Sequence, residues 1–382
     1  MADKDLFLAA FRGEATERPP AWDQSVAPDV AAEVLGRPAL AGTIVMHYLE
    51  AVASVRGDSA YQEFMAQTEE DRVAFARAMN WSAINYPWLR GRPARQLDEY
   101  TFLYGDEDGD WVTYRYDPAV GTYGPVAHSR PQGWQGEEAI RGQVDRAWRN
   151  VERWDEQSRP TLEERTKRWL ALAGDEFEYV SGGGGMAVPL NEEWMIACAF
   201  VPDLVAEYLD AQVEAGLLGL EVMARLGVRV INGGGDLASK NGPLYGPRFF
   251  REIVCPRYQR VVDRCRELGL QYIFRSDGDL WSITDLLFTE EGANAPGFGE
   301  IDHDSGMKIP LLQERYRRLT CVGNVPCGLL RSGSEAEVRA FVRDLREQVL
   351  PHGRWIVAAA NAVLPGTPAG NYAAMLEEAG VL

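Results

Sequence analysis

Cysteine is scarce and gives no pattern. Five residues in 382, at positions 198, 255, 265, 321 and 327, make an odd count with no C-x-x-C spacing. That excludes a disulfide framework and points to reduced thiols; Cys255 and Cys265 share one predicted helix and are expected to be packing residues. No apolar run approaches the roughly 20 residues needed to span a bilayer. The N-terminal M-A-D-K-D-L-F-L lacks the architecture of a signal peptide, so a cytoplasmic location is expected. Positive charge is also short, with 39 Lys and Arg against 57 Asp and Glu and a net charge of -18. Long-range attraction to nucleic acid or an anionic membrane is therefore not expected. No G-x-G-x-x-G turn opens a helix and no Gly-Lys-Ser/Thr follows a glycine loop, which argues against a dinucleotide fold and a P-loop.

A regular strand–helix alternation is present. The stretch Gln271 to Leu280, Q-Y-I-F-R-S-D-G-D-L, reads as a buried strand opening into a charged, glycine-containing turn. Similar units recur after residue 176: F-E-Y-V-S-G-G-G-G, V-R-V-I-N-G-G-G-D, A-P-G-F-G-E-I-D, L-T-C-V-G-N-V and R-W-I-V-A-A-A-N, with helices predicted over 202–226, 247–268, 281–292, 307–318, 334–350 and 368–379. Two further strands are expected earlier, one ending at Trp22-Asp23 and one in Ser82–Leu89. Eight strands with polar carboxyl ends predict an α/β fold, a (β/α)8 TIM barrel with N-terminal helices, forming one domain over 1–382. A doubly wound open sheet is the alternative. Residues 98–132 break the pattern: alternating aromatic and β-branched residues flank Asp108-Gly109 and predict an inserted β-hairpin. Asp106, Asp108 and Asp110 lack the glycine and the bidentate glutamate of an EF-hand loop, and a solvated turn is expected instead.

Several runs together resemble the uroporphyrinogen decarboxylase superfamily: E-R-P-P-A-W near the start, G-D-L-A and G-P-L-Y-G-P-R-F-F-R-E-I-V-C-P-R-Y, then I-F-R-S-D-G-D, G-N-V, and L-P-G-T-P-A-G-N-Y-A-A-M-L. The resemblance covers roughly 5–25 and 177–382 and implies a barrel with its site at the strand carboxyl ends. The superfamily holds haem-pathway decarboxylases and zinc- and corrinoid-linked methyltransferases. The decarboxylases' substrate-binding arginines after Pro-Val-Trp are replaced here by Asp23-Gln24-Ser25-Val26. Their catalytic aspartate falls near Tyr86-Pro87-Trp88, and their Gly-His-Gly at Ala360-Asn361-Ala362. The methyltransferases' His-x-Cys zinc ligands fall on Arg275 and Asp277, and their distant Cys near Asn361. Uroporphyrinogen is therefore not the expected substrate, and a guanidinium cannot ligate zinc. If a metal binds, Asp277, Asp279, Glu300, Asp302 or His303 would hold it, and oxygen donors favour a harder ion.

An arginine at the inner end of a barrel strand must be paired or await an anion. Asp277 and Asp236 are the expected partners of Arg275 if it only braces the mouth. If it instead grips a substrate carboxylate, Asp277 is free as a general acid or base and Asn361 donates a neutral hydrogen bond. Asn232 and Asn324 end two other strands. Trp22, Tyr86 and Trp194 are candidate aromatic walls. Asp23, Gly183, Asp236, Asp279 and His303 complete the candidate substrate contacts. The two glycine loops, 182–185 and 233–235, either floor a pocket or keep bulk out of the barrel mouth. The expected activity is a cofactor-independent decarboxylation or related carbon–carbon lyase step on an anionic small molecule. The alternatives are methyl transfer, with a divalent metal or a corrinoid protein as partner, and a non-catalytic ligand-binding barrel. Homodimerisation, common in the family, is expected.

Overall fold

Seven short parallel strands pair in the order of the chain: β1 (Ala83–Asn85), β2 (Glu178–Gly182), β3 (Val230–Gly234), β4 (Gln271–Arg275), β5 (Gly297–Gly299), β6 (Thr320–Val322) and β7 (Trp355–Ile356). They belong to a computed structural model that describes residues 3–130 and 133–382. The segment at 20–22 fills the eighth place. Ala21 bridges Val357 in parallel. Trp22 N–H donates to the Val357 carbonyl at 3.1 Å, Val357 N–H to Pro20 at 2.8 Å, and Ser82 N–H to Ala21 at 2.8 Å. The first and last strands are thus joined through residues 20–22 and the sheet curls into a TIM-type barrel.

Local chemistry explains the elements. In β4 the period of two sends Tyr272 and Phe274 out toward the helices, where Phe274 meets Tyr258, Phe288 and Phe298. Ile273 and Arg275 take the opposite face, toward the axis. The strand ends at Arg275 and opens into the expected glycine-containing turn, where Gly278 takes a positive φ of 81° and Asp279 N–H donates to the Ser239 carbonyl. The long helix Pro202–Leu226 starts on proline and ends on Gly227 at φ 97°. Ser334 and Glu337 form a capping box for Glu335–Val349. The strand expected over Ser82–Leu89 ends at Asn85, and the helix expected over 281–292 narrows to Thr284–Phe288. Helices Glu192–Phe200 and Cys327–Ser332 have no counterpart in the sequence reading. Among the described residues no helix is long and apolar enough to cross a membrane.

The insertion is larger than a hairpin. Arg95–Gln96, Thr101–Gly105, Trp111–Asp117 and Thr122–His128 form a four-stranded antiparallel sheet; the expected boundary at residue 132 lies outside the described residues. Its aromatic face packs on helix Val45–Val55, where Tyr48 stacks on Tyr116 at 4.2 Å and Ala51 joins Phe102 and Tyr123 in a separate small core. The Asp106 carboxylate accepts from the Asp108 N–H of its own turn, and Asp110 faces Arg130 at 3.1 Å.

Candidate active site

The carboxyl ends of the strands converge on two small adjoining cavities. The inner one, about 20 Å³, lies among Trp22, Gln24, Asn232, Arg275, Glu300 and Asn361. It has room for about one water. The outer one, about 130 Å³, is lined by Asp277, Asp302, Asp304, Cys327 and Asn361. Asn361 borders both.

Arg275 is paired, and with neither partner expected from the sequence. Its Nη1 donates to both carboxylate oxygens of Glu300, at 3.0 and 3.1 Å. The register explains the correction. Arg275 lies opposite Gly299 on β5, so the next residue, Glu300, reaches across to it. Asp236, just beyond β3, has its side chain exposed, and Asp277 lies beyond the end of β4. The Glu300 side chain is 7% exposed and that of Arg275 35%. Gln24 Nε2 also donates to Glu300, and Asn232 Nδ2 donates to Gln24 Oε1 at 3.2 Å. A polar chain therefore crosses the barrel from β3 through the 20–24 segment to β5 and β4. Burial works against the Arg275 charge, but Glu300, helped by the charge of Asp236, offsets it and the guanidinium is held above its ordinary value.

Asp277 is left without a cation. Burial, then the charges of Glu300, Asp236 and Asp302, push its carboxyl up to about 6. Among the described residues its side chain accepts one long hydrogen bond, from Asn361 Nδ2 at 3.5 Å. Such a group exchanges protons near neutral pH. Asp302 is committed elsewhere, accepting from Asp304 N–H, Ser305 N–H and the Ser305 hydroxyl.

Beneath the inner cavity lies a buried polar knot. Asp23, 1% exposed, accepts from Ala359 N–H at 2.8 Å and the Tyr372 hydroxyl at 2.7 Å, and Trp81 donates to that hydroxyl. Burial raises the Asp23 carboxyl to about 7 against these bonds and the charge of Arg72. Arg72 is itself buried and donates to Asn85 Oδ1 at 2.6 Å, which also accepts from Trp22 Nε1 at 3.0 Å. Trp22 and Asp23 thus reach the cavity from its floor, with their polar atoms already occupied.

The other sequence candidates scatter. Tyr86 turns to Trp169 and Arg165, outside both cavities, and burial raises its hydroxyl to about 12. Trp194 is fully buried against Tyr208. Asn324 is buried and donates to the Met307 carbonyl at 2.8 Å. Asp279 accepts from Trp281 N–H at 3.0 Å, and His303 leans on Phe341. The glycine loops divide. A Cβ on Gly233 would lie 2.4 Å from the Gly183 carbonyl, and one on Gly234 2.2 Å from the Arg275 carbonyl, so these glycines serve strand packing. Gly183, with Gly182 and Gly184, instead borders a separate cleft of about 400 Å³ against the helices at 154–173 and 202–226. Sequence reasoning gave no role in the site to Gln24, Arg72 and Tyr372. The position of Gln24 beside Trp22-Asp23 was the one available signal.

A thiolate zinc site does not fit these residues. Arg275 supplies no lone pair, and among the described residues no group of three His, Cys, Asp or Glu side chains is placed to hold a metal ion.

The family model described as uroporphyrinogen decarboxylase (URO-D) matches residues 185–380. No curated protein matches the chain. Among solved structures the fold is similar to a methyltransferase from Methanosarcina mazei, with a TM-score of 0.66 at 17% identity, covering 100% of this chain and 98% of that one.

Proposed function

The chain belongs to the uroporphyrinogen decarboxylase family, and from that premise we propose that it is a lyase that decarboxylates a small carboxylic acid, with Arg275 as anchor and Asp277 as proton donor. The observation that carries this reading is the pairing of roles at one strand end. Arg275 is held by Glu300, while Asp277, two residues on, keeps a carboxyl raised to about 6 and no cation beside it. The substrate carboxylate would meet the exposed edge of the guanidinium in competition with Glu300. As the carbon–carbon bond breaks, CO2 leaves and the bonding pair stays on the substrate carbon. The Asp277 carboxylic acid gives that carbon its proton and is reprotonated from solvent through the mouth. In such a cofactor-independent step the substrate must carry its own electron-withdrawing group.

Cavity size and charge narrow the substrate. Spaces of about 20 and 130 Å³ are far below the several hundred Å³ that enclose a drug-sized ligand, and further still from a tetrapyrrole. Arg275 is the only cation lining either cavity among the described residues, whereas Asp277, Asp302 and Asp304 line the outer one. A small acid whose other end donates hydrogen bonds suits this mouth better than a polyanion.

The test is a screen of small carboxylates for released CO2 with purified protein. Turnover that is lost in Asp277→Asn while the circular dichroism stays native supports the proposal. Turnover that survives the substitution removes Asp277 from the chemistry. Methyl transfer is the second reading, favoured by what the similar solved structure is called. It predicts methyl exchange with a corrinoid and no CO2 from any acid.

A further inference from the structure

The barrel has a second concave surface at the opposite end. A cleft of about 500 Å³ opens where Leu270, Pro296, Leu319 and Arg354 immediately precede β4, β5, β6 and β7. Its volume lies in the range of small-molecule sites. Five arginines line it, Arg266, Arg315, Arg317, Arg318 and Arg354, against one acid, Glu290. In a chain of net charge -18 this is a local inversion of sign.

The pairing is incomplete. Arg266 is held by Asp263 and Arg315 by Asp285, each at 2.5 Å. Arg318 reaches Glu290 only at 3.9 Å, with side chains 92% and 82% exposed, a contact of little strength in water. Arg317 makes no ion pair among the described residues. Arg354 is half-buried and donates to the Phe11 carbonyl, and among the described residues it makes no ion pair. Burial, and then the nearby charge of Arg318, lower the Arg354 guanidinium from its ordinary value. Two cations are therefore held near each other at the rim of a cleft, where an anion between them would relieve the repulsion. The floor is apolar, with Phe11, Phe288, Tyr316 and Leu319 each less than a tenth exposed.

We propose that this cleft binds a phosphate-bearing small molecule, its phosphate held by Arg317, Arg318 and Arg354 and any flat apolar part laid against Phe288 and Tyr316. Guanidinium groups match phosphate oxygens in a planar fork. The site stands at the amino-terminal face, remote from the proposed chemistry, and does not depend on it.

Titration calorimetry and thermal unfolding of the full chain with ADP and with inorganic pyrophosphate, against chloride at equal ionic strength, test the proposal. Saturable binding and a raised unfolding temperature are expected with at least one probe. Tighter binding of ADP would identify a nucleotide, and equal binding a bare phosphate source. Arg317→Ala/Arg318→Ala alters two exposed side chains, and the fold should survive. It should weaken binding about tenfold or more, since each charge-assisted hydrogen bond contributes about that factor. Arg248→Ala, another exposed arginine, should change nothing. Three results would overturn the proposal: no binding of either probe at millimolar concentration, unchanged binding in the double variant, or equal weakening by Arg248→Ala.

Discussion

The Arg275–Glu300 pair lends itself to a double-mutant cycle. Arg275→Met leaves the Glu300 carboxylate, 7% exposed, with Gln24 as its remaining donor. Removing one partner of a buried pair costs about 3–5 kcal/mol. Because the Arg275 side chain is 35% exposed, water reaches the pair and the lower end, about 3 kcal/mol, is expected. Glu300→Gln leaves a guanidinium that can turn to water, and should cost only about 1–2 kcal/mol. The double variant should fall short of the sum by about 1.5–2 kcal/mol, the coupling energy. Urea denaturation followed by tryptophan fluorescence measures all three. Binding of an unreactive carboxylate gives a second readout: Arg275→Met should abolish it, and Glu300→Gln should strengthen it by freeing the fork. A coupling energy below about 0.5 kcal/mol would show that the pair is no stronger than a surface contact. Carboxylate binding that survives Arg275→Met would refute the anchor.

Three other outcomes follow from the geometry. Asp277 has a raised carboxyl, so the folded chain binds more protons than the unfolded chain between about pH 4 and 6, and stability falls as pH rises through that window; Asp277→Asn should flatten the slope and stabilise the neutral protein by about 1 kcal/mol after screening. Both Asp23→Asn and Asp23→Ala remove the counter-charge from Arg72, but Asp23→Asn keeps the shape of the buried knot and one of its two acceptor oxygens, whereas Asp23→Ala strips the acceptor from both Tyr372 and Ala359; Asp23→Ala should cost about 3–5 kcal/mol, read from the urea midpoint, and Asp23→Asn clearly less. Gly234→Ala, at φ 117° with its Cβ 2.2 Å from the Arg275 carbonyl, should cost about 3–5 kcal/mol or abolish soluble protein; wild-type stability would mean that β3 and β4 are not locked there.

The barrel was legible because its signals are local. A buried apolar run, a glycine or polar break and a helical stretch recur after residue 176, and each can be read without knowing its neighbours. Asp277 and Asn361 could likewise be named as strand-end groups, and the structure sets them 3.5 Å apart. What the sequence hid is pairing across the barrel. Asp236 and Asp277 looked like partners of Arg275 because the one follows a neighbouring strand and the other lies two residues away. The parallel register brings Glu300 to it instead, 25 residues further on. Arg72 shows the same limit: a charged residue in a polar helix, it is buried where the Ala41 carbonyl and Asn85, at the end of β1, accept from it across the fold. The insertion was legible in part: the turn at Asp108-Gly109 was visible, but the strands Arg95–Gln96 and Thr122–His128 that flank the hairpin were not.

Glu300 decides the character of both candidate groups. By taking the guanidinium it leaves Asp277 without a cation, and its own charge is the next cause, after burial, of the raised carboxyl. A substrate carboxylate bound at Arg275 would add another negative charge near Asp277 and hold its proton more firmly. Loss of CO2 would move that charge from the carboxylate onto the substrate carbon, a far stronger base, which takes the proton held on Asp277. Binding and protonation are thus coupled, and linkage requires the converse. The affinity for an unreactive carboxylate should fall as pH rises through about 6 and become independent of pH in Asp277→Asn. Calorimetry between about pH 5 and 7.5 measures this directly. An affinity that stays level in the wild-type protein would separate Arg275 from Asp277 and leave the arginine as a brace.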